Sequence, residues 1–159
     1  MSITDESEYG QKQIKTLELI WGEGFLSPGG AKEVDLVLNK KLIKDLKVLD
    51  IGCGCGGAAF HFINKHEVSH VTGVDVENEV IDRANELKLK IDNQSKVTFK
   101  VIDPGPLKFE DNSFDVVFSK DTFLHIKDKE NLALDLFRIL KPGGFLCVSD
   151  WMRIDDNPP

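Results

Sequence analysis

The stretch VLDIGCGCGG, residues 48–57, decides the fold, because an apolar run ends in an acid and four glycines follow within six positions. Glycines at this density leave backbone N–H groups uncovered, so a ligand can approach the main chain and the chain can turn sharply into a helix. The pattern predicts a buried strand over residues 46–51, then a binding loop or a tight turn, then a helix over residues 58–66.

From residue 46 onward, short β-branched runs alternate with helical patterns, which is typical of a parallel sheet with crossover helices. The other predicted strands are 70–76, 96–103, 114–119 and 144–151, and the other predicted helices are 77–91 and 127–140. In the last helix we expect Leu132, Leu136, Phe137 and Leu140 on one face, with Lys141-Pro142-Gly143-Gly144 ending it. The expected class is α/β, with a doubly wound, mostly parallel sheet.

Residues 8–44 carry a helical pattern that a loop interrupts over residues 22–30. We therefore divide the chain into a helical lid segment, residues 1–45, and an α/β core, residues 46–159. At 159 residues and 41% hydrophobic content the chain is expected to form one domain.

Net charge and hydropathy indicate which classes of partner the chain is expected to lack. A formal net charge of -7 disfavours nucleic acid, whose binding depends on neutralising phosphates. The sequence has no apolar stretch of membrane-spanning length and no basic, apolar start typical of a signal peptide, so we expect no membrane partner and a cytoplasmic location. The odd count of three cysteines and the Cys53-Gly54-Cys55 spacing fit neither a disulfide framework nor a zinc site, and no metal is expected.

The glycine loop also matches a dinucleotide fingerprint, since Gly52, Gly54 and Gly57 satisfy GxGxxG and Asp75 ends the second predicted strand. Asp50 distinguishes the ligands. A carboxylate beside the loop would repel a pyrophosphate, whereas S-adenosylmethionine carries no phosphate and its methionine end bears an ammonium and a sulfonium. The acid therefore favours S-adenosylmethionine over NAD.

Acids follow three successive predicted strands: Asp50, Asp75 and Asp103. Because ligands bind at the carboxyl edge of an open α/β sheet, we expect Asp50 to orient the methionine ammonium, Asp75 to bind the ribose hydroxyls and Asp103 to lie by the adenine amino group. The alternative is that these residues merely cap the helices or turns that follow.

Through VLDIGCGCGG, the acid in GVDV, DNSFDVVFS and LKPGGFL, residues 46–150 resemble the class I S-adenosylmethionine-dependent methyltransferases. The resemblance implies a Rossmann-like core and the cofactor S-adenosylmethionine. It adds Val76 and Ser119 to the expected cofactor contacts.

A narrower resemblance lies in EYGQKQIKTLELIWGEGFLSPGG and SKDTFLHI, which are similar to the phosphoethanolamine N-methyltransferases. It implies that Tyr9 and His125 face each other over a small-molecule amine, that Asp121 holds this amine, and that Leu26 and Ser27 lie against the cofactor. The residue types suit the reaction, since a carboxylate can bind an alkylammonium and a Tyr–His pair can take up its proton.

Three departures from that family leave alternatives open. Leu17 and Trp151 stand where the family has tyrosines, and the family's last strands and inserted helices are missing, as in a fragment or a shortened relative. We therefore expect cofactor binding to survive better than turnover. The alternatives are a glycine- or sarcosine-like substrate, a binding module without turnover, an NAD oxidoreductase, and a nucleic-acid methyltransferase suggested by Asn157-Pro158-Pro159.

Overall fold

The computed structural model describes residues 10–152. Five strands in this range form one sheet: β1 Lys47–Ile51, β2 His70–Asp75, β3 Val97–Val101, β4 Phe114–Lys120 and β5 Leu140–Ser149. All strand pairs are parallel, and the order across the sheet is β3-β2-β1-β4-β5. The strand order reverses between β1 and β4, which is the switch point where open α/β sheets bind ligands.

Helices cover both faces of this sheet. Their bounds are α1 Gln11–Trp21, α2 Gly30–Leu38, α3 Gly57–His66, α4 Asn78–Lys88 and α5 Lys129–Ile139, with short 3-10 turns at Gln94–Lys96 and Phe123–His125. Helices α1 to α4 contribute to one buried cluster and α5 contributes to the other. This arrangement confirms the predicted doubly wound α/β class. No helix between residues 10 and 152 is both long enough and apolar enough to cross a membrane.

The central strand β1 explains why the glycine loop starts where it does. Val48 and Leu49 are fully buried, one in the cluster with α1 to α4 and the other in the cluster with α5. Side chains alternate between the two faces of a strand, and a parallel strand buried on both faces is apolar throughout. Asp50 interrupts that apolar run near the carboxyl end of the strand, so its carboxylate is also buried.

The predicted apolar face of α5 is partly wrong. Leu136 is buried, but Phe137 is 85% exposed. Leu132, Leu136 and Ile139 follow the spacing of one helical face, whereas Phe137 lies about 100° further round the helix and faces solvent. Leu140 is not helical either, because the helix ends at Ile139 and β5 begins directly after it.

The segment Lys141–Gly144, predicted to end the helix, lies instead within β5 at an irregularity of the pairing between β4 and β5. Gly143 has a φ of 82°, which favours glycine. A Cβ on Gly144 would lie 2.9 Å from the carbonyl oxygens of Asp115 and Lys141, so a larger residue would collide with the main chain. Proline and glycine here shape a bulge in an edge strand rather than a helix end.

The N-terminal helices share the core of the sheet. Ile14 of α1 and Val34 and Leu38 of α2 are buried in the same cluster as α3 and α4. The predicted helical run to residue 44 ends earlier, at Leu38, where Asn39 adopts a left-handed conformation with φ 46°. The division into a lid, residues 1–45, and a core, residues 46–159, stays a prediction.

Candidate functional site

A cleft of about 700 Å³ opens at the carboxyl edge of the sheet. Most of the site residues predicted from the sequence line it: Leu26, Ser27, Asp50, Gly52, Gly54, Asp75, Val76, Asp103, Asp121 and His125. They come from the α1–α2 loop, the ends of β1, β2, β3 and β4, and the turn after β4. The fold therefore brings together residues that lie about 100 positions apart in the chain.

The glycine loop between β1 and α3 needs its glycines for close approach. Gly52 has a φ of 72°, and a Cβ there would lie 2.0 Å from Thr122 Oγ1. A Cβ on Gly57 would lie 2.8 Å from the carbonyl oxygen of Gly24. The loop is thus pressed against the turn after β4 on one side and against the α1–α2 loop on the other.

The backbone N–H groups of this loop donate mainly to the protein itself. The donors are Gly52 and Cys53 to Val74 O, Gly54 to Asp75 Oδ2, Gly56 to Cys53 O, and Gly57 to Gly24 O, at 2.8–3.0 Å. A phosphate-binding glycine loop needs free N–H groups that point at the ligand. These donors are already paired, so the loop is poorly suited to a pyrophosphate.

Asp50 is the most unusual group in the cleft. Its side chain is nearly fully buried, and its Oδ2 has no hydrogen-bond partner within residues 10–152. Burial, and then the charge of Asp75, raise the pKa of Asp50 to about 7. A buried carboxyl oxygen without a partner is costly to the apoprotein, and a cationic ligand group would satisfy it.

Asp75 joins the loop to the second strand. Its Oδ2 accepts from Gly54 N at 2.9 Å and its Oδ1 accepts from Glu77 N at 3.2 Å, directly before α4. The capping alternative is therefore partly correct for Asp75, although the residue also lines the cleft. The other predicted adenosine contacts, Val76 and Asp103, lie at the open rim, where the Asp103 side chain is 91% exposed.

Lys120 is a cleft residue that the sequence reasoning missed. Its side chain is only 8% exposed, and Nζ contacts Asp121 Oδ2 at 2.6 Å, Ser27 Oγ at 2.6 Å and Glu33 Oε2 at 3.1 Å. One ammonium therefore ties the α1–α2 loop and α2 to the end of β4. The only sequence signal was its position directly before Asp121 at a predicted strand end.

Asp121 and His125 lie on the wall of the cleft that follows β4. Asp121 has a φ of 56°, and its N–H donates to Ser149 O at 2.9 Å, which fixes the turn to β5. His125 is exposed and ends a 3-10 turn that Asp150 holds by accepting from Leu124 N at 2.8 Å. Asp121 faces a protein cation, whereas the His125 ring is open to solvent.

Among the predicted site residues that the structure describes, Ser119 is the one that does not line the cleft. The Ser119 hydroxyl is buried and donates to Ile51 O at 2.8 Å, so it joins the ends of β1 and β4 rather than facing the cavity. Tyr9 lies outside the described residues.

The cysteines beside the glycines are buried, and burial raises the pKa of Cys55 to about 12, so its thiol stays protonated.

Among the ionisable groups that line the cleft, carboxylates outnumber cations. Its carboxylates are Asp50, Asp75, Glu77, Asp103, Asp121, Asp128 and Asp135, against the ammonium groups of Lys120 and Lys127. The negative potential of these carboxylates favours the cationic groups of a ligand, such as an ammonium or a sulfonium.

This fold and site define a class of protein. Residues 42–158 match the family model described as a methyltransferase domain. The chain belongs to this methyltransferase domain family.

Named relatives narrow the similarity further. The chain is 39% identical over 155 residues to phosphoethanolamine N-methyltransferase 1 of Arabidopsis thaliana, covering 97% of this chain and 31% of the relative. The phosphoethanolamine N-methyltransferase of Plasmodium falciparum is 31% identical, with 92% and 55% covered. The chain thus spans about a third of the length of the Arabidopsis protein and about half of the Plasmodium protein.

Among solved structures, phosphoethanolamine N-methyltransferase 2 of Haemonchus contortus superposes with a TM-score of 0.83 at 36% identity, over 91% of this chain and 34% of that chain. That protein has been solved with S-adenosyl-L-methionine, and also with phosphomonomethylethanolamine and S-adenosylhomocysteine. The likeness covers 91% of this chain rather than the glycine loop alone.

Proposed function

We propose that this chain binds S-adenosylmethionine and directs its methyl group to the nitrogen of phosphoethanolamine or of its methylated forms. The observation that carries the proposal is the buried Oδ2 of Asp50, which has no hydrogen-bond partner between residues 10 and 152, in a cleft that Asp121 and His125 also line. The named relatives support the choice of reaction and of substrate.

The residues that line the cleft are suited to bind S-adenosylmethionine. Asp50 would accept from the methionine ammonium and gain the partner that it lacks in the apoprotein. Asp75 would bind the ribose hydroxyls, while Val76 and Asp103 would lie along the adenine at the rim. The paired N–H groups of the glycine loop argue against NAD, because a pyrophosphate needs free N–H donors. When bound, S-adenosylmethionine supplies a methyl group on a sulfonium.

The substrate half rests on Asp121 and His125. Asp121 would hold the alkylammonium, in competition with Lys120, which is 2.6 Å from it in the absence of substrate. His125 would take up the proton that the amine must lose before its lone pair can attack in line. A Tyr9–His125 pair, a cytoplasmic location and the absence of nucleic-acid and membrane partners stay predictions. Leu26 and Ser27 would close over the cofactor.

The proposal is tested with the 159-residue chain, free of any affinity tag. Titration with S-adenosylhomocysteine measures binding, and methyl transfer from labelled S-adenosylmethionine is followed with phosphoethanolamine, phosphomonomethylethanolamine, ethanolamine and sarcosine. We expect stoichiometric binding and transfer to the two phosphorylated amines. Asp121→Asn should abolish transfer while leaving binding intact, and Asp92→Asn, at an exposed acid outside the cleft, should change neither.

The outcomes separate the alternatives. Transfer to sarcosine alone would replace the substrate class. Binding without any turnover would make the chain a cofactor-binding part that needs the remaining length of its relatives for catalysis. A folded chain that does not bind S-adenosylhomocysteine would overturn the proposal.

A further inference from the structure

A second cluster of reactive side chains lies where α2 contacts α3, away from the cleft lining. His61 Nε2 and His66 Nε2 both lie 2.8 Å from Asp35 Oδ1. The side chains are only partly exposed, at 14% for His61, 20% for His66 and 31% for Asp35. None of the three lines the cleft that holds Asp50 and Asp121.

The geometry of this cluster resembles a ligand set. The two imidazole nitrogens and the carboxylate oxygen all lie within 4.8 Å of one another. Ligands bonded at about 2.1 Å to one metal ion and at right angles to each other lie about 3 Å apart, close to the spacing between Asp35 Oδ1 and each imidazole nitrogen. Two histidines and one carboxylate on one face of an ion leave its remaining positions open for water.

We propose that Asp35, His61 and His66 form a binding site for a divalent first-row transition-metal ion such as Zn²⁺ or Ni²⁺. Imidazole and carboxylate are ligands that these ions accept, and both histidines bind through Nε2 in the neutral form. The proposal does not depend on the methyl-transfer reaction, because no ligand comes from the cleft.

The surrounding charges are compatible with an ion. Burial raises the pKa of Asp35, but the hydrogen bonds from Lys65, His61 and His66 lower it further, well below its usual range, so the carboxylate is ionised near neutral pH. Lys65 Nζ contacts the other oxygen, Oδ2, at 2.5 Å. A metal ion would replace the two imidazole hydrogen bonds at Oδ1, while Lys65, whose side chain is 58% exposed, stays paired with Oδ2.

An ion at this position would clamp the N-terminal helices to the core. Asp35 belongs to α2, which follows the loop that carries Leu26 and Ser27, while His61 and His66 belong to α3, which starts at the glycine loop. The metal would therefore fix the distance between two elements whose other ends line the cleft. It would act as a structural tie and not as a catalytic centre.

The test uses the tag-free chain and Zn²⁺ as the probe. The chain has four histidines, so ¹⁵N-labelled histidine gives a site-resolved readout. We expect saturable, one-to-one binding by calorimetry and a shift of the Nε2 resonances of His61 and His66, while those of His70 and His125 stay in place. His61→Gln, His66→Gln and Asp35→Asn should each weaken binding by about tenfold or more.

Two control variants separate the metal site from a simple ion-pair network. His70→Gln removes a histidine that contacts only Thr98 within the described hydrogen bonds, and it should leave Zn²⁺ affinity unchanged. Lys65→Met removes a competing cation and should leave affinity equal or higher. No saturable binding to the folded chain, or Zn²⁺-induced shifts confined to His70 or His125, would overturn the proposal. The wild-type spectrum decides this even where a substitution prevents folding.

Discussion

Lowering the pH from 7 to 6 should weaken the binding of S-adenosylhomocysteine through one residue, Asp50. The pKa of this carboxyl is raised to about 7 by burial and by the neighbouring charge of Asp75. The protonated form cannot pair with an ammonium, so the ligand binds only the ionised fraction of the free protein. Binding itself supplies the missing partner of Oδ2 and favours the ionised form.

The size of the effect follows from the ionised fraction. With a pKa of about 7, Asp50 is about half ionised at pH 7 and about one-eleventh ionised at pH 6. The ligand's ammonium stays mostly protonated over this range, so its own titration changes the ratio little. The dissociation constant should therefore rise about fivefold, which corresponds to about 1 kcal/mol.

The assay is calorimetric titration at half-unit pH steps, at constant ionic strength. Asp50→Asn is the matched control, because it keeps the shape of the side chain and removes the titration. This variant should bind more weakly at pH 7 and show no comparable slope. An affinity of the wild type that is flat between pH 6 and 7, or an equal slope in Asp50→Asn, would refute the assignment of the ammonium to Asp50.

Three further predictions concern stability. The folded-state pKa of Asp50 lies above its unfolded value, so ionisation of Asp50 lowers the free energy of unfolding as the pH rises from about 4 to 7. Urea unfolding without ligand should therefore show that, between pH 5.5 and 8, the free energy of unfolding of the wild type falls by about 2 kcal/mol relative to that of Asp50→Asn. Lys120→Met should lower the free energy of unfolding by about 1–3 kcal/mol, since it leaves the carboxylates of Glu33 and Asp121 unpaired, and an unchanged urea midpoint would contradict this network. Gly52→Ala should destabilise more than Gly143→Ala, because both have φ near 80° but only Gly52 meets Thr122; equal losses in thermal melts would mean that backbone strain alone matters.

The pattern of apolar residues was sufficient to predict a parallel sheet with helices packed on both faces. Runs such as the one ending at Asp50 are buried on both faces, and only parallel strands covered by helices on both sides have that requirement. The prediction for Phe137 was wrong because neighbouring positions on a helix differ by about 100°. The sequence does not show whether one aromatic residue beside the apolar face is buried or exposed. The prediction of a helix end at Lys141–Gly144 was also wrong, because proline and glycine occur both at helix ends and at strand bulges.

The candidate site was predicted where a residue's role depends on its place at a strand end. Asp50, Asp75 and Asp103 met that condition and line the cleft, whereas Asp121 was expected only from the family resemblance. Lys120 did not stand out, because its role is created by Ser27 and Glu33, which reach it from the N-terminal helices. The Asp35 cluster shares this origin, since its carboxylate and its imidazoles lie on different helices. Neither feature exists until the chain is folded.

The burial of Asp50 and the hydrogen bonding of the glycine loop that follows it favour the same kind of ligand. In a dinucleotide site the glycines free the N–H groups for phosphate; here they let the loop fold against Thr122 and Gly24, and its N–H groups donate to protein carbonyls and to Asp75. The N–H groups of the loop therefore do little to offset the burial of Asp50, whose Oδ2 has no hydrogen-bond partner among the residues that the structure describes. Glycine loop and acid act together, because the loop's N–H groups are poorly placed to bind a pyrophosphate and the buried carboxylate beside them favours a cationic group.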